Sequence, residues 1–374
     1  MRLSALIVTL GLGLTTSGCL SSMVLNGTIA STRKASGAFN SIGDYDLAMR
    51  GASAGIVQFE GFHELAPDNK DALFLLLRSW MSYGYAFPED ELEAAKDADD
   101  EALIEYHKSR ALMAYGRAIK YGTELMSKKA EGWDKGARNN AATISAWLAE
   151  NFQDKEDAET LFWVGYAWLA RINLNKDEPA YVAELFVGVA LLEQSRKLDP
   201  TIVSWGSTVA LASYHSRTAL AEVDLAKQMF EKSIAETGRK SLLNLNAYAT
   251  KYACTTGNKA LYESLLKEVV EKDDSGPEYD KLRLSNAVAK HRAHRGLSRK
   301  RMMDCGFDVS SPDTKVAETK PAEAPKPAEA PKSEPAKTEA TKSEPAKVDV
   351  KAAPKPATAK TPAAAKTATP PAKP

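Results

Sequence analysis

Residues Leu161–Leu174, reading LFWVGYAWLARINL, constrain the fold of this chain more than any other stretch. They carry two of its six tryptophans and almost no polar group before Arg171. At helical spacing Leu161, Gly165, Trp168 and Ile172 share one face. Phe162, Tyr166 and Leu169 flank it, and Trp163 and Ala167 lie opposite. A helix that is apolar nearly all round belongs inside other helices. At about fourteen residues it is too short to cross a bilayer, which takes about 20. It therefore predicts the central helix of an all-helical body, with any ligand cavity beside it.

The pattern on either side agrees. Amphipathic helices are predicted over 44–65 and 70–87, with Asp68 or Asn69 capping the second. Pro88 suits the first turn of a new helix, which continues as one segment to about Lys129. Gly132–Gly136 reads as a loop, followed by helices over 140–151, 161–174, 179–198, 201–218, 221–236, 240–256, 258–272 and 277–296. No stretch alternates apolar and polar residues with strand composition, so the fold class is all-α. Leu192–Asp199, Phe230–Thr237 and Leu266–Asp273 resemble one another at offsets of 38 and 36 residues, and Phe59–Pro67 looks like an earlier copy. These intervals are close to the 34-residue tetratricopeptide period. They predict a helical-repeat, degenerate tetratricopeptide-like solenoid with a concave face.

The ends differ from the body. Arg2, an apolar run over Leu3–Leu14 and small residues before Cys19 form a secretory signal pattern. Thr16-Ser17-Gly18-Cys19 resembles a bacterial lipobox, which implies cleavage after residue 18 and lipidation of Cys19. Leu20, where inner-membrane retention favours Asp, points to the outer membrane. Residues 19–40 are small and polar and read as a lipidated tether to a body over 41–305. From 306 to 374 the chain is expected to be disordered: residues 309–374 hold 13 of the 18 prolines and no aromatic side chain.

Formal charge balances over the whole chain, but residues 20–308 carry 36 basic against 41 acidic side chains. A mildly acidic body argues against nucleic acid, since phosphate binding needs a basic face. The two remaining cysteines, Cys254 and Cys305, either pair in an oxidising compartment or stand as small buried thiols.

Three motifs have duller explanations. Gly51-Ala52-Ser53-Ala54-Gly55 matches the nucleophile elbow of esterases, but that motif needs a strand before it, and here it lies within a helical segment. His291 and His294 share a helix face without a third ligand, amid Arg and Lys, and read as an exposed basic helix end. The acidic run Asp90–Glu101 reads as a solvated helix start. No metal, cofactor or catalytic group is implied. The aromatic set is the candidate site: Trp80, Tyr83, Tyr85, Phe87, Trp163, Tyr166, Trp168, Trp205 and Tyr214 either fill the core or line a ligand cleft.

Taken together, YGYAF at Tyr83–Phe87, AYGRAIKYG at Ala114–Gly122, LFWVGYAWLARINLNKDE at Leu161–Glu178 and LLEQSRKLDP at Leu191–Pro200 resemble the TRAP-transporter-associated T-component lipoproteins, usually called TatT. The resemblance covers roughly residues 19–305. It implies a non-enzymatic periplasmic accessory that partners a TRAP-type solute-binding protein and assembles as a homo-oligomer. Its ligand would be a small hydrophobic or organic-acid molecule in a helical cleft. The competing possibility is a tetratricopeptide scaffold for envelope assembly with no small-molecule site.

Overall fold

Side-chain caps set where several of the helices begin. In the computed structural model, which describes residues 21–217 and 222–309, α2 (Tyr45–Leu65) starts where Asp44 accepts from the Leu47 amide. Asn69 does the same for α3 (Lys70–Ala86), accepting from Ala72 at 2.9 Å. Pro88 opens α4 (Pro88–Asp97) at its first turn, where its missing N–H leaves no bond unmade. Asp100 caps α5 (Glu101–Ser127), and a capping box between Asn140 and Thr143 starts α6 (Ala141–Asn151). The central helix, α7, spans Asp157–Leu174. Then follow α8 (Pro179–Val182), α9 (Leu185–Leu198), α10 (Ile202–His215), α11 (Val223–Glu236), α12 (Leu242–Ala247), α13 (Lys259–Glu271), α14 (Arg283–Gly296) and α15 (Arg299–Asp304). No strand occurs among the described residues.

Residues 21–35 form a further helix, α1, where a tether was expected. Ile29 is fully buried against Ala72 and Leu75, with Leu25 beside it. Arg33 lies 4.0 Å above the Phe74 ring and pairs with Asp71 at 2.5 Å. Two aliphatic residues at i, i+4 and one arginine anchor α1, which is too sparse a pattern to stand out among small polar neighbours. The segment expected to run unbroken from 89 to 129 is divided, because Asp99 takes a left-handed conformation (φ 53°) between α4 and α5. Helix α14 begins at Arg283 rather than 277, after a single 3₁₀ turn at Pro277–Tyr279.

Packing runs along the chain. Helix α3 lies chiefly on α5, α5 on α7, α7 on α9, and α9 on α10, which pairs with α11. Helix α7 is buried nearly all round, from Ala158 to Ile172. It meets α9 at a glycine crossing. A Cβ on Gly165 would sit 3.1 Å from the Gly188 carbonyl oxygen, so the two backbones approach as only glycine allows. The array does not end openly, because α14 returns to α2 and to the 3₁₀ turn Ser36–Ser41. In an open solenoid each repeat touches only its neighbours; here the last helices touch the first.

Cys254 and Cys305 stand bonded in the structure, Cα atoms 5.0 Å apart, tying the segment after α12 to the end of α15. Replacing both with Ser is expected to lower stability by about 2–4 kcal/mol through the added freedom of the unfolded chain. Denaturant midpoints with and without reductant check this; a midpoint indifferent to reductant would mean that the bond contributes nothing. The body extends slightly past its expected boundary at 305: Phe307 packs edge-on against Tyr262 at 5.1 Å. Cys19, the signal pattern and the proline-rich tail lie outside the described residues.

Candidate functional site

The two tryptophans of α7 have different surroundings. Trp163 packs on Phe162 at 4.7 Å, and its indole N–H donates to Glu159 at 3.1 Å. Trp168, only 3% exposed, has no acceptor for its buried Nε1. Its neighbours come from a tight turn before α6. Gly132 (φ 107°) and Gly136 (φ 113°) adopt conformations closed to other residues and fold Trp133 inward. The Trp147 indole pins this turn by donating to the Glu131 carbonyl at 2.8 Å. Trp133 meets Trp168 edge-on at 5.8 Å and Trp147 at 5.7 Å, and Phe152 lies behind Trp147.

Two arginines cover the Trp168 ring. Arg138 lies 5.7 Å from its centroid and 5.2 Å from that of Trp133. Arg171 lies 4.8 Å from Trp168 and 5.6 Å from Tyr181 of α8. Each uses a terminal nitrogen for one carboxylate, Asp134 at 3.3 Å and Glu184 at 3.0 Å. Each leaves its Nε buried without an acceptor. The indole N–H and the two arginine Nε–H groups beside it thus have no acceptor, although buried donors in proteins are nearly always paired.

A second constellation sits where the array closes. Asp90 of α4, 2% exposed, receives two bonds from Arg295 at 2.7 and 2.8 Å. It also pairs with His291 at 2.7 Å and accepts from Tyr45 at 3.2 Å. The His291 ring stacks flat on Tyr45 at 4.3 Å. Burial would raise the Asp90 carboxyl, but these bonds and the charges of Arg292 and Arg295 hold it well below the usual carboxylate range. Burial would likewise disfavour the Arg292 cation; Tyr85, Glu89 and Asp90 outweigh it and keep the guanidinium charged. Arg292 donates to the Tyr85 carbonyl and lies over the Tyr85 ring at 4.0 Å. Behind it Tyr115 donates to Glu89, and burial plus that carboxylate push the Tyr115 hydroxyl far up. Next along, Arg301 binds Glu93 at 2.6 Å; against the opposing effect of burial, Lys96 and Arg301 bring the Glu93 carboxyl down to about 2.

The aromatic set proposed from the sequence is not brought together. Trp80, Tyr83 and Phe87 touch in series along α3, and each is already engaged: Trp80 donates to Glu60 at 2.8 Å, Tyr83 accepts from Arg110 at 2.6 Å, and Phe87 packs on Tyr45. Tyr166 joins Tyr85 and Phe162, both at 5.6 Å. Trp205 lies under Lys232 within a left-handed run, Val203–Trp205, and Tyr214 lies under Arg217. Two surface hollows run along α1, bordered by Leu25, Leu65 and Pro67 and by Val24, Thr28 and Thr32; neither reaches α7.

The basic end of α14 is not merely exposed, and Asp90 is not solvated, because each is the other's partner from 205 residues away. Ser53 sits inside continuous α2 and donates to the Met49 carbonyl at 3.1 Å, so the esterase-like motif has no elbow. Arg138, Trp133 and Trp147 were missed; the paired glycines at 132 and 136 were the available signal, and they suggested only a loop.

The model of the TRAP transporter T-component family matches residues 43–303, from the start of α2 into α15. The chain belongs to the TRAP transporter T-component family. Both the Trp168 cluster and the Asp90 clamp fall within the matched span of this T-component. A search of curated proteins returns no match. T-components are transport accessories and are not known as enzymes. Such a component belongs to the cell envelope, and among the described residues no helix is long and apolar enough to cross a membrane.

Proposed function

We propose that this T-component is a lipoprotein, lipidated at Cys19 and held on the periplasmic side of the outer membrane. There it binds a small apolar or organic-acid solute in its helical body and docks the solute-binding protein of a TRAP system. The supporting observation is the flank of α7 at Trp168, where Trp133, Trp147 and Trp168 form an aromatic wall and the Trp168 indole, Arg138 and Arg171 each hold a buried N–H without an acceptor. Ligand sites typically join apolar walls to a few polar groups that fix orientation. A peptide-binding scaffold would be served by an open concave array, whereas here the two ends touch.

Two experiments test the proposal. The purified body should form a complex with the solute-binding protein of its TRAP system, seen by size-exclusion chromatography or calorimetry, and native mass spectrometry should find a small molecule retained. Absence of both would favour the scaffold. Separately, Cys19→Ala should move the protein from the membrane fraction to the soluble periplasm without unfolding it. A variant that still pellets with membranes would show that Cys19 is not the anchor.

A further inference from the structure

We infer that the start of α1 and the corner between α2 and α3 form a membrane-facing surface, by which the body of this T-component rests directly on the bilayer. The inference rests on the lipidation proposed at Cys19 and adds how the anchored body is turned.

The chain leaves no room for a tether. It is already helical at Ser21, two residues after Cys19, which is at most about 8 Å of chain. Helix α1 is then fastened to the body along its length. Asn69 donates to Asn26 at 2.7 Å, Ile29 is buried against Ala72 and Leu75, and Arg33 pairs with Asp71. Acylation of Cys19 therefore brings the first turn of α1, and whatever lies beside it, to the lipid surface.

What lies there suits a bilayer. Met23 and Val24 of that turn are 73% and 62% exposed, and Leu65 at the end of α2 is 70% exposed. Leu65, Ala66 and Pro67 border the same hollow as Ser21, Ser22 and Leu25, so these apolar groups gather at one end of the body. No side chain from Ser21 to Thr32 is charged. At the α2–α3 corner the charges cancel, Glu64 and Asp68 against Lys70 and Lys128, with Asp68 and Lys128 2.6 Å apart. Three apolar side chains are too few to hold a protein on a membrane unaided, but beside an acyl anchor they act as the second signal that stable attachment needs. They also fix which face of the body meets the lipid.

The test uses the acylated full chain in vesicles of phosphatidylethanolamine and phosphatidylglycerol. Acylation occupies the Cys19 thiol, and Cys254 and Cys305 are bonded to each other. A bimane probe can therefore be placed uniquely by Val24→Cys, Leu65→Cys or Met303→Cys. Met303, 55% exposed, is the control. Its helix meets α4 through Arg301 and Glu93, and α4 begins at the far end of α3, a helix of 17 residues and thus about 25 Å long. Apolar faces lying in the interface are buried about 5–10 Å, so nitroxide-bearing lipid should quench the probes at 24 and 65 at least about threefold more than the probe at 303. Position 65 decides, because 24 is close to the anchor in sequence whatever the body does. In an Ile29→Asp background, which frees α1 from the body, quenching at 65 should fall to the level at 303 while quenching at 24 persists. If that variant fails to fold, the unaltered background decides. Equal quenching at 65 and 303 would overturn the surface and leave the anchor standing. Quenching at 65 that survives Ile29→Asp would overturn the part given to α1. A full chain that does not sediment with the vesicles would count against both the surface and the anchor.

Discussion

Asp90→Ala is expected to destabilise the body by about 3–5 kcal/mol, among the largest losses from any single side chain, read as a drop in denaturant midpoint. The loss arises from what is left behind. Arg295 and Arg292, each with a side chain 15% exposed, would keep their charge and lose the carboxylate between them. A pH titration gives an independent check. The Asp90 and Glu93 carboxyls are both depressed in the folded state, from ordinary values of 3.8 and 4.5. Groups of that kind add stability that is complete above their unfolded values and is lost as pH falls through the folded ones. Stability should therefore be level above about pH 5 and decline from about pH 4.5 toward pH 2. Asp90→Ala should have a lower plateau and a shallower acid decline, and an unchanged decline would mean that Asp90 does not contribute to it.

Trp168→Ala should cost about 3–5 kcal/mol, because it empties a filled site between Trp133, Arg138 and Arg171. Trp80→Ala, on a half-buried indole that already donates to Glu60, is the comparison and should cost clearly less. Equal losses from the two variants, measured by chemical denaturation, would show that the α7 flank is not tightly packed. Trp168→Phe should fall between them, since it retains most of the buried ring.

What the sequence made legible is what short-range physics encodes. Asn69 and Pro88 mark helix starts by chemistry within one turn, and both lie where the pattern placed them. The apolar run of α7 announced its own burial, because no face of it could meet water at low cost. Long-range pairing was hidden. Asp90 looks like any acidic residue in a helix's first turn, and His291 to Arg295 like any basic end. Only the return of α14 to α4 makes each the other's counterion. The site was half visible for the same reason. Trp168 was conspicuous in the run, whereas Arg138 joins it through a glycine turn whose direction no local pattern specifies.

The contact of α14 with the first helices also bears on how the chain comes apart. A row of helix pairs with free ends can fray, shedding outer units while inner ones persist. Joining the ends removes the place where fraying starts, since α2 and α14 are each held by the other. The body should then melt as one cooperative unit despite its many separate helices. It should also be unable to finish folding until α14 has emerged, because until then Asp90 lacks the Arg295 guanidinium and the Tyr85 carbonyl lacks the Arg292 donor. A chain emerging into the envelope end first would stay open along that seam until almost the last of its helices arrived.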